Sequence, residues 1–240
     1  MPVRTWLTAS IASAVLDRLF FTLPDLELDP VKVQVFERIF QAACHDGAGG
    51  NLDYDCEFPK SEFLRYLVVH KPVLLHGSNS QSIGTLLPRQ QTDHSGRRMS
   101  AVFATGDGVW PIFFAVLDQA GYSGSLRNGC FVVTDHEGAE RRFYFFSINA
   151  EMRRRQPWTD GVVYVLPRGS FEPTSRGTIR FDEWASPDPV RPLARLTVSP
   201  SEFPFLHAVT GHDEGESIYV SWWRFKKRQK HHRAGGEAGL

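Results

Sequence analysis

The spacing of apolar residues changes near residue 70. Before it, the pattern is helical. Leu7, Ile11, Ala14, Val15 and Leu19 recur at intervals of three and four, and in "DPVKVQVFERIFQAAC" Val35, Phe36, Ile39, Phe40 and Ala43 share one helical face. Asp29 ahead of Pro30 supplies an N-cap and a first helical position, and glycines at 47, 49 and 50 end the run. A third helix is predicted from Ser61 in "PKSEFLRYLVVH", with Phe63, Leu64, Leu67 and Val68 inward. Residues 1–69 therefore read as a helical segment packed on whatever follows.

From Val73 the apolar residues cluster in short β-rich runs bounded by Gly, Pro and Asp: "VLLH", "AVFAT", "CFVVTD", "RRFYFFSI", "GVVYVL", "GTIRFDEW", "LARLTV" and "SIYVSWWRF". A helix interrupts them in "GVWPIFFAVLDQAG", starting near Gly108 with Pro111 in its first turn and stopping at Gly121. "TDHEGAERR" reads as a hairpin connection and "QQTDHSGRRMS" as a polar loop. The class predicted is α+β, with a split, mostly antiparallel β core over residues 70–225 and a basic tail over 226–240 that is expected to be disordered.

Composition narrows this picture. At 42% hydrophobic, 240 residues are ample for a packed core. The 27 basic and 27 acidic residues cancel, which argues against an overall electrostatic preference for nucleic acid or anionic membrane. Six Lys or Arg lie between Arg224 and Arg233, leaving the rest of the chain net negative. Trp222, Trp223 and Phe225, just before the basic tail, fit a final core strand better than a nucleic-acid surface. Cys44, Cys56 and Cys130 form no C-x-x-C pair, so no structural metal is expected and a reducing cytoplasmic compartment fits. The first twenty residues resemble a signal peptide superficially, but their apolar stretch is interrupted and runs into Asp17 and Arg18. No run approaches the roughly 18 apolar residues of a membrane span, so no membrane partner is expected.

The stretch "VLLHGSNS", residues 73–80, ends an apolar strand in polar groups, and three readings fit it. In the first, His76 is a satisfied histidine at a strand end, and Gly77 is there because the backbone needs positive φ. In the second, the strand end supplies oxyanion-hole amides to an esterase of the α/β-hydrolase type. Its nearest nucleophile elbow, "GYSGS" at Gly121, has serine where the last glycine belongs and follows a helix, although His207 and His212 come in the right order downstream.

The third reading takes the segments together. "HGSNSQSIGTLLPR", "AVFATGDGVWPIFFAVL" and "FDEWASPDPVRPLARLTV", spread over roughly residues 70 to 200, resemble in their order the ADP-ribosyltransferase superfamily, in its diphtheria-toxin and poly(ADP-ribose) polymerase branch. The resemblance implies a fold with an ADP-ribosyltransferase-like β core and transfer of ADP-ribose from NAD, used as a substrate, to a protein, nucleic-acid or water acceptor. By that resemblance His76 bonds a ribose hydroxyl of NAD, and the Gly77 backbone pairs with the nicotinamide amide, with Ser78 beside them. Phe103 and Phe114 stand where the family has its two tyrosines, and Glu183 matches the catalytic glutamate. Arg89, in "LLPR", reads equally as a phosphate contact and as a loop end.

The chemistry is sound in itself. Cleaving the bond to nicotinamide leaves positive charge on the ribose, which a carboxylate in a dry site stabilises, while aromatic faces hold the cationic pyridinium before it leaves. Each residue also has an ordinary explanation. Phe103 and Phe114 lie in core-like runs, and Glu183 competes with Asp182, Glu172 and Glu202. Strand alternation groups Glu183 with Phe181 and opposes it to Asp182 and Trp184. His94, Arg97 and Arg98 read as contacts to the pyrophosphate, as a lid flanking the site, or as ordinary hydrophilic loop residues. Phe at 103 lacks the tyrosine hydroxyl, which keeps open a catalytically degenerate module that binds NAD or a protein partner.

Overall fold

The computed structural model describes residues 15–45 and 49–217; the start of the first predicted helix, the run "SIYVSWWRF" beyond Ser217 and the basic tail lie outside them. Asp29 caps helix α1, Pro30–His45, as its composition predicts: its carboxylate accepts the Lys32 N–H at 2.9 Å. Phe36, Ile39 and Ala43 are buried along the expected stripe. Helix α2, Lys60–His70, buries Phe63, Leu64 and Leu67, and also Tyr66, whose hydroxyl meets Glu37 of α1. Residues 15–19 are helical, but Val15 is exposed, while Leu16 and Phe20 pack on Val133 and Phe143. Here the inward face is displaced from the predicted one.

The β-rich part forms three four-stranded sheets and is mostly antiparallel, so the chain is α+β. One sheet runs β1 (Gly50–Asn51), β11 (Ala194–Val198), β7 (Gly161–Pro167) and β2 (Val73–Ser78). A second runs β3 (Arg89–Thr92), β4 (Arg98–Ala104), β10 (Trp184–Ser186) and β8 (Glu172–Pro173). The third runs β12 (Thr210–His212), β6 (Glu140–Asn149), β5 (Leu126–Thr134) and β9 (Ile179–Phe181). The helical segment is part of this body, because β1 pairs in parallel with β11 and Phe36 and Phe63 share a cluster with Tyr144 and Val163.

Two expectations about strands need correction. "GTIRFDEW" is not one strand. β9 pairs with β5, β10 pairs with β4, and Asp182 and Glu183 occupy the crossing between two sheets. "QQTDHSGRRMS" is not a loop. Its ends belong to β3 and β4, whose register Arg89↔Ala101 to Thr92↔Arg98 forms a polar, largely exposed hairpin with no burial alternation to betray it. The hairpin "TDHEGAERR" does form, with Asp135 accepting the N–H groups of Glu137 and Ala139.

Helix α3, Trp110–Val116, is shorter than predicted because the chain leaves it at Leu117 to bridge Trp158. It is buried at Ile112, Phe113, Ala115 and Val116, and each large apolar side chain so buried contributes roughly 1.5–3 kcal/mol. The backbone of α3 lies directly on β2 and β7. A Cβ added to Gly77 would stand 1.9 Å from the Pro111 carbonyl oxygen, and one on Gly161 would stand 1.8 Å from that of Ala115. Gly77 is therefore required by close approach; its φ is not positive, contrary to the simplest sequence reading. The Asn79 side chain fastens the same contact, donating to the Ala115 carbonyl at 2.6 Å and accepting the Gln119 N–H at 2.8 Å.

Gly77→Ala and Gly161→Ala should each cost about 3 kcal/mol or more, because backbone has to move. Gly169→Ala, where a Cβ meets nothing within 4 Å, should be near neutral. Denaturant unfolding of the three variants checks this.

Candidate functional site

Two of the sheets meet where β2 touches β4, and they separate after one bridge. Leu75 and Thr105 exchange N–H···O bonds of 2.9 Å, so the N–H and carbonyl of Leu75 point away from β7. In an unbroken antiparallel ladder the residue two positions on points the same way, so Gly77 also turns its backbone groups toward β4. There its partner would be Phe103, but His76 intervenes: its Nδ1 stands 2.8 Å from the Phe103 carbonyl oxygen. Next to the strand's last residue, a buried glycine thus turns its N–H and carbonyl to a side where it forms no ladder with β4. Paired backbone groups are the rule in buried positions, so these two groups are the candidates for bonding an amide-bearing ligand.

The half-buried His76 is held in one tautomer. With Nδ1–H donating to Phe103, Nε2 is the acceptor, and burial followed by repulsion from Arg89 lowers its pKa and keeps the ring neutral. Arg89 is exposed and has no ion-pair partner among the described residues. Ser78 accepts the Ser80 N–H at 3.2 Å, a local turn bond at the strand end. Phe103 is half-buried and belongs to none of the apolar clusters. Through the Leu75 bridge it shares the face of β2 and β4 that α3 covers. Phe114, on α3, packs at the edge of the main core against Trp110 and Phe113, with centroids at 6.1 and 5.4 Å. The His76 ring lies on the opposite face, with Leu74, so the structure joins His76 to Phe103 by a hydrogen bond and not by ring contact.

Glu183 is next to β10, the neighbour of β4. Its Oε1 accepts three bonds: the His94 N–H at 3.1 Å, the His94 Nδ1 at 3.2 Å and the Thr174 hydroxyl at 2.8 Å. Oε2 has no partner among the described residues, and no buried side-chain oxygen there lacks one, so Oε2 reaches solvent. One oxygen is anchored and the other presented.

The residue before it does different work. Asp182 is buried, accepts the Gly106 N–H and the Trp184 indole N–H at 3.1 Å each, and faces the Arg142 guanidinium at 3.3 Å. Arg142 reaches Asp107 at 3.4 Å, and Asp107 also accepts the Tyr144 hydroxyl at 2.7 Å and the Val109 and Trp110 N–H groups that open α3. Burial raises the pKa of Asp182 against the pull of Arg142. Sequence reasoning passed over this network; its one signal was "TGDGVW", an aspartate just ahead of an apolar helix.

The other predicted elements fall elsewhere. "GYSGS" is a loop in which Ser125, not Ser123, meets His212 Nε2 at 2.8 Å, and His212 Nδ1 meets Ser147 at 2.8 Å. Glu214 takes the Ser125 N–H at 2.8 Å, placing negative charge where an oxyanion hole needs donors. Cavities of about 550 Å³ beside Trp158 and Phe203, and about 540 Å³ reaching Asp107, Arg142 and Tyr144, do not include His76, Phe103 or Glu183. Gly77 is distinguished by backbone groups without a ladder partner on β4, and neither cavity reaches it. Among the described residues no three His, Cys, Asp or Glu gather as a metal site would, and no helix is long and apolar enough to cross a membrane.

The chain matches no protein-family model, no curated protein and no solved structure.

Asp93, at the tip of the β3–β4 hairpin, offers a direct test of local order. The Ser95 hydroxyl foremost, with backbone N–H groups of Arg97 and Ser95, outweighs burial and lowers its pKa to about 2. Since the folded value lies below the unfolded one of roughly 3.9, its stabilisation is present above pH 4 and is lost as pH falls through 2. Carboxyl-carbon NMR should find that low midpoint, and Asp93→Asn should remove this part of the acid dependence of unfolding.

Proposed function

We propose that this chain transfers ADP-ribose from NAD to an acceptor, on an ADP-ribosyltransferase-like core formed by the neighbouring strands β2, β4 and β10. The observation that carries the reading is the backbone of Gly77, a donor and an acceptor side by side turned toward β4 with no ladder partner there, which complements the carboxamide of nicotinamide. His76 Nε2 accepts a ribose hydroxyl, Ser78 lies beside it, and Arg89, which has no ion-pair partner among the described residues, takes the pyrophosphate. Phe103 and Phe114 offer aromatic faces from the side that α3 covers, worth roughly 0.5–2 kcal/mol each against the pyridinium cation.

Glu183 is the catalytic residue. As nicotinamide departs as a neutral molecule, positive charge develops on the ribose, and the presented Oε2 stabilises it without having to reorganise, since Oε1 is already held by His94 and Thr174. The free thiols of Cys44, Cys56 and Cys130 suit a reducing, cytoplasmic setting. Phe103 favours one second reading, a module that binds NAD without cleaving it, because no hydroxyl is available at that position.

Nicotinamide release from NAD by purified protein decides between them. Glu183→Gln should lower release by about 10²-fold or more with NAD still raising the melting temperature, and His76→Ala should weaken that stabilisation. Stabilisation without release favours the binding module; release that survives Glu183→Gln contradicts the mechanism.

A further inference from the structure

The β3–β4 hairpin tip is organised around one histidine. The Asp93 side chain, 2% exposed, accepts the Ser95 N–H at 2.9 Å, the Ser95 hydroxyl at 2.6 Å, the Arg97 N–H at 2.9 Å and the Arg97 Nε–H at 3.2 Å. Four bonds to one carboxylate fix the turn, and the following residue reaches Glu183 at the crossing from β9 to β10. The His94 ring is 18% exposed and packs on Phe181 with centroids 5.0 Å apart. Its Nδ1 meets Glu183 Oε1 and the Thr174 hydroxyl at 3.2 Å each. A carboxylate at Nδ1 selects the tautomer with the proton there and leaves a lone pair on Nε2. Nε2 has no partner among the described residues. An imidazole oriented by a carboxylate, with an open Nε2, is the arrangement of a general base.

We infer that His94 is the general base for the acceptor, which makes the acceptor a group that gives up a proton as it attacks, as a hydroxyl or water does, and not a carboxylate. The inference rests on the NAD-cleaving reading. The bond between C1′ of the ribose and the nicotinamide nitrogen breaks, and its electron pair leaves with neutral nicotinamide. The acceptor oxygen bonds to C1′, its proton passes to His94 Nε2, and Glu183 offsets the imidazolium charge. A carboxylate acceptor has no proton to lose and would leave His94 without a task.

The test uses the full chain with NAD and two competing nucleophiles, methanol, which must lose a proton, and azide, which has none. For His94→Ala, ADP-ribosyl products of methanol and water should fall by about 10²-fold or more relative to the azide adduct, whose own smaller loss reports the weaker hold on Glu183 Oε1. His94→Gln, which keeps a polar side chain of similar reach, should behave the same way and guards against a folding defect. Added imidazole should restore part of the methanol product to His94→Ala. Equal loss with both nucleophiles would make His94 a positioning residue for Glu183, and a gain in rate would make the contact inhibitory; either overturns the proposal. Release that is unaffected in both variants removes this role alone. No release from wild type with any nucleophile removes the NAD reading and this role with it.

Discussion

The guanidinium of Arg142, set between the carboxylates of Asp107 and Asp182, joins the sheet of β5 and β6 to the sheet of β4 and β10. Asp107 lies between β4 and α3, Arg142 on β6, and Asp182 at the crossing from β9 to β10. Taking these charges out of water is costly, and burial works against Arg142, yet Asp182 and Asp107 outweigh it and hold it charged. Removing one member of such a set typically costs about 3–5 kcal/mol, because the remaining charge is left buried. The network therefore fixes where one sheet hands the chain to the next. Glu183 follows Asp182 by one residue and takes its position from that anchor.

A second constraint acts on the other side of the site. α3 can rest on β2 and β7 only because glycine stands at 77 and 161, and Asp107 both caps that helix and binds Arg142. The helix covers one face of β2 just where the strand stops pairing with β4. Close packing on one face and a ladder that stops at Leu75 leave the Gly77 backbone groups sheltered and without a partner on β4. In the proposed function the same residue acts twice: its missing side chain admits the helix, and its backbone pairs with the carboxamide.

Much of this was legible in the sequence where burial is one-sided. The α1 stripe, its Asp29 cap, the β5–β6 hairpin and the runs that became β2, β5, β6, β7 and β11 follow from periodicity and turn chemistry. The polar β3–β4 hairpin was not legible, since both its faces meet solvent and no alternation marks it. Nor was the break at Asp182, because two short strands that join different sheets read as one run. The candidate site was legible as residue types: His76, Gly77, Phe103 and Glu183 lie on or beside adjoining strands. His94 read as part of a hydrophilic loop, and its bond to Glu183 depends on a hairpin that only the fold reveals.

The most direct measurement of the central claim is a crystal structure of the Glu183→Gln protein with NAD. The account predicts the nicotinamide carboxamide on the backbone N–H and carbonyl of Gly77, a ribose hydroxyl within hydrogen-bond distance of His76 Nε2, and the nicotinamide ribose beside residue 183. NAD bound instead in the cavity beside Trp158 and Phe203, or in the cleft that reaches Asp107 and Arg142, would contradict it.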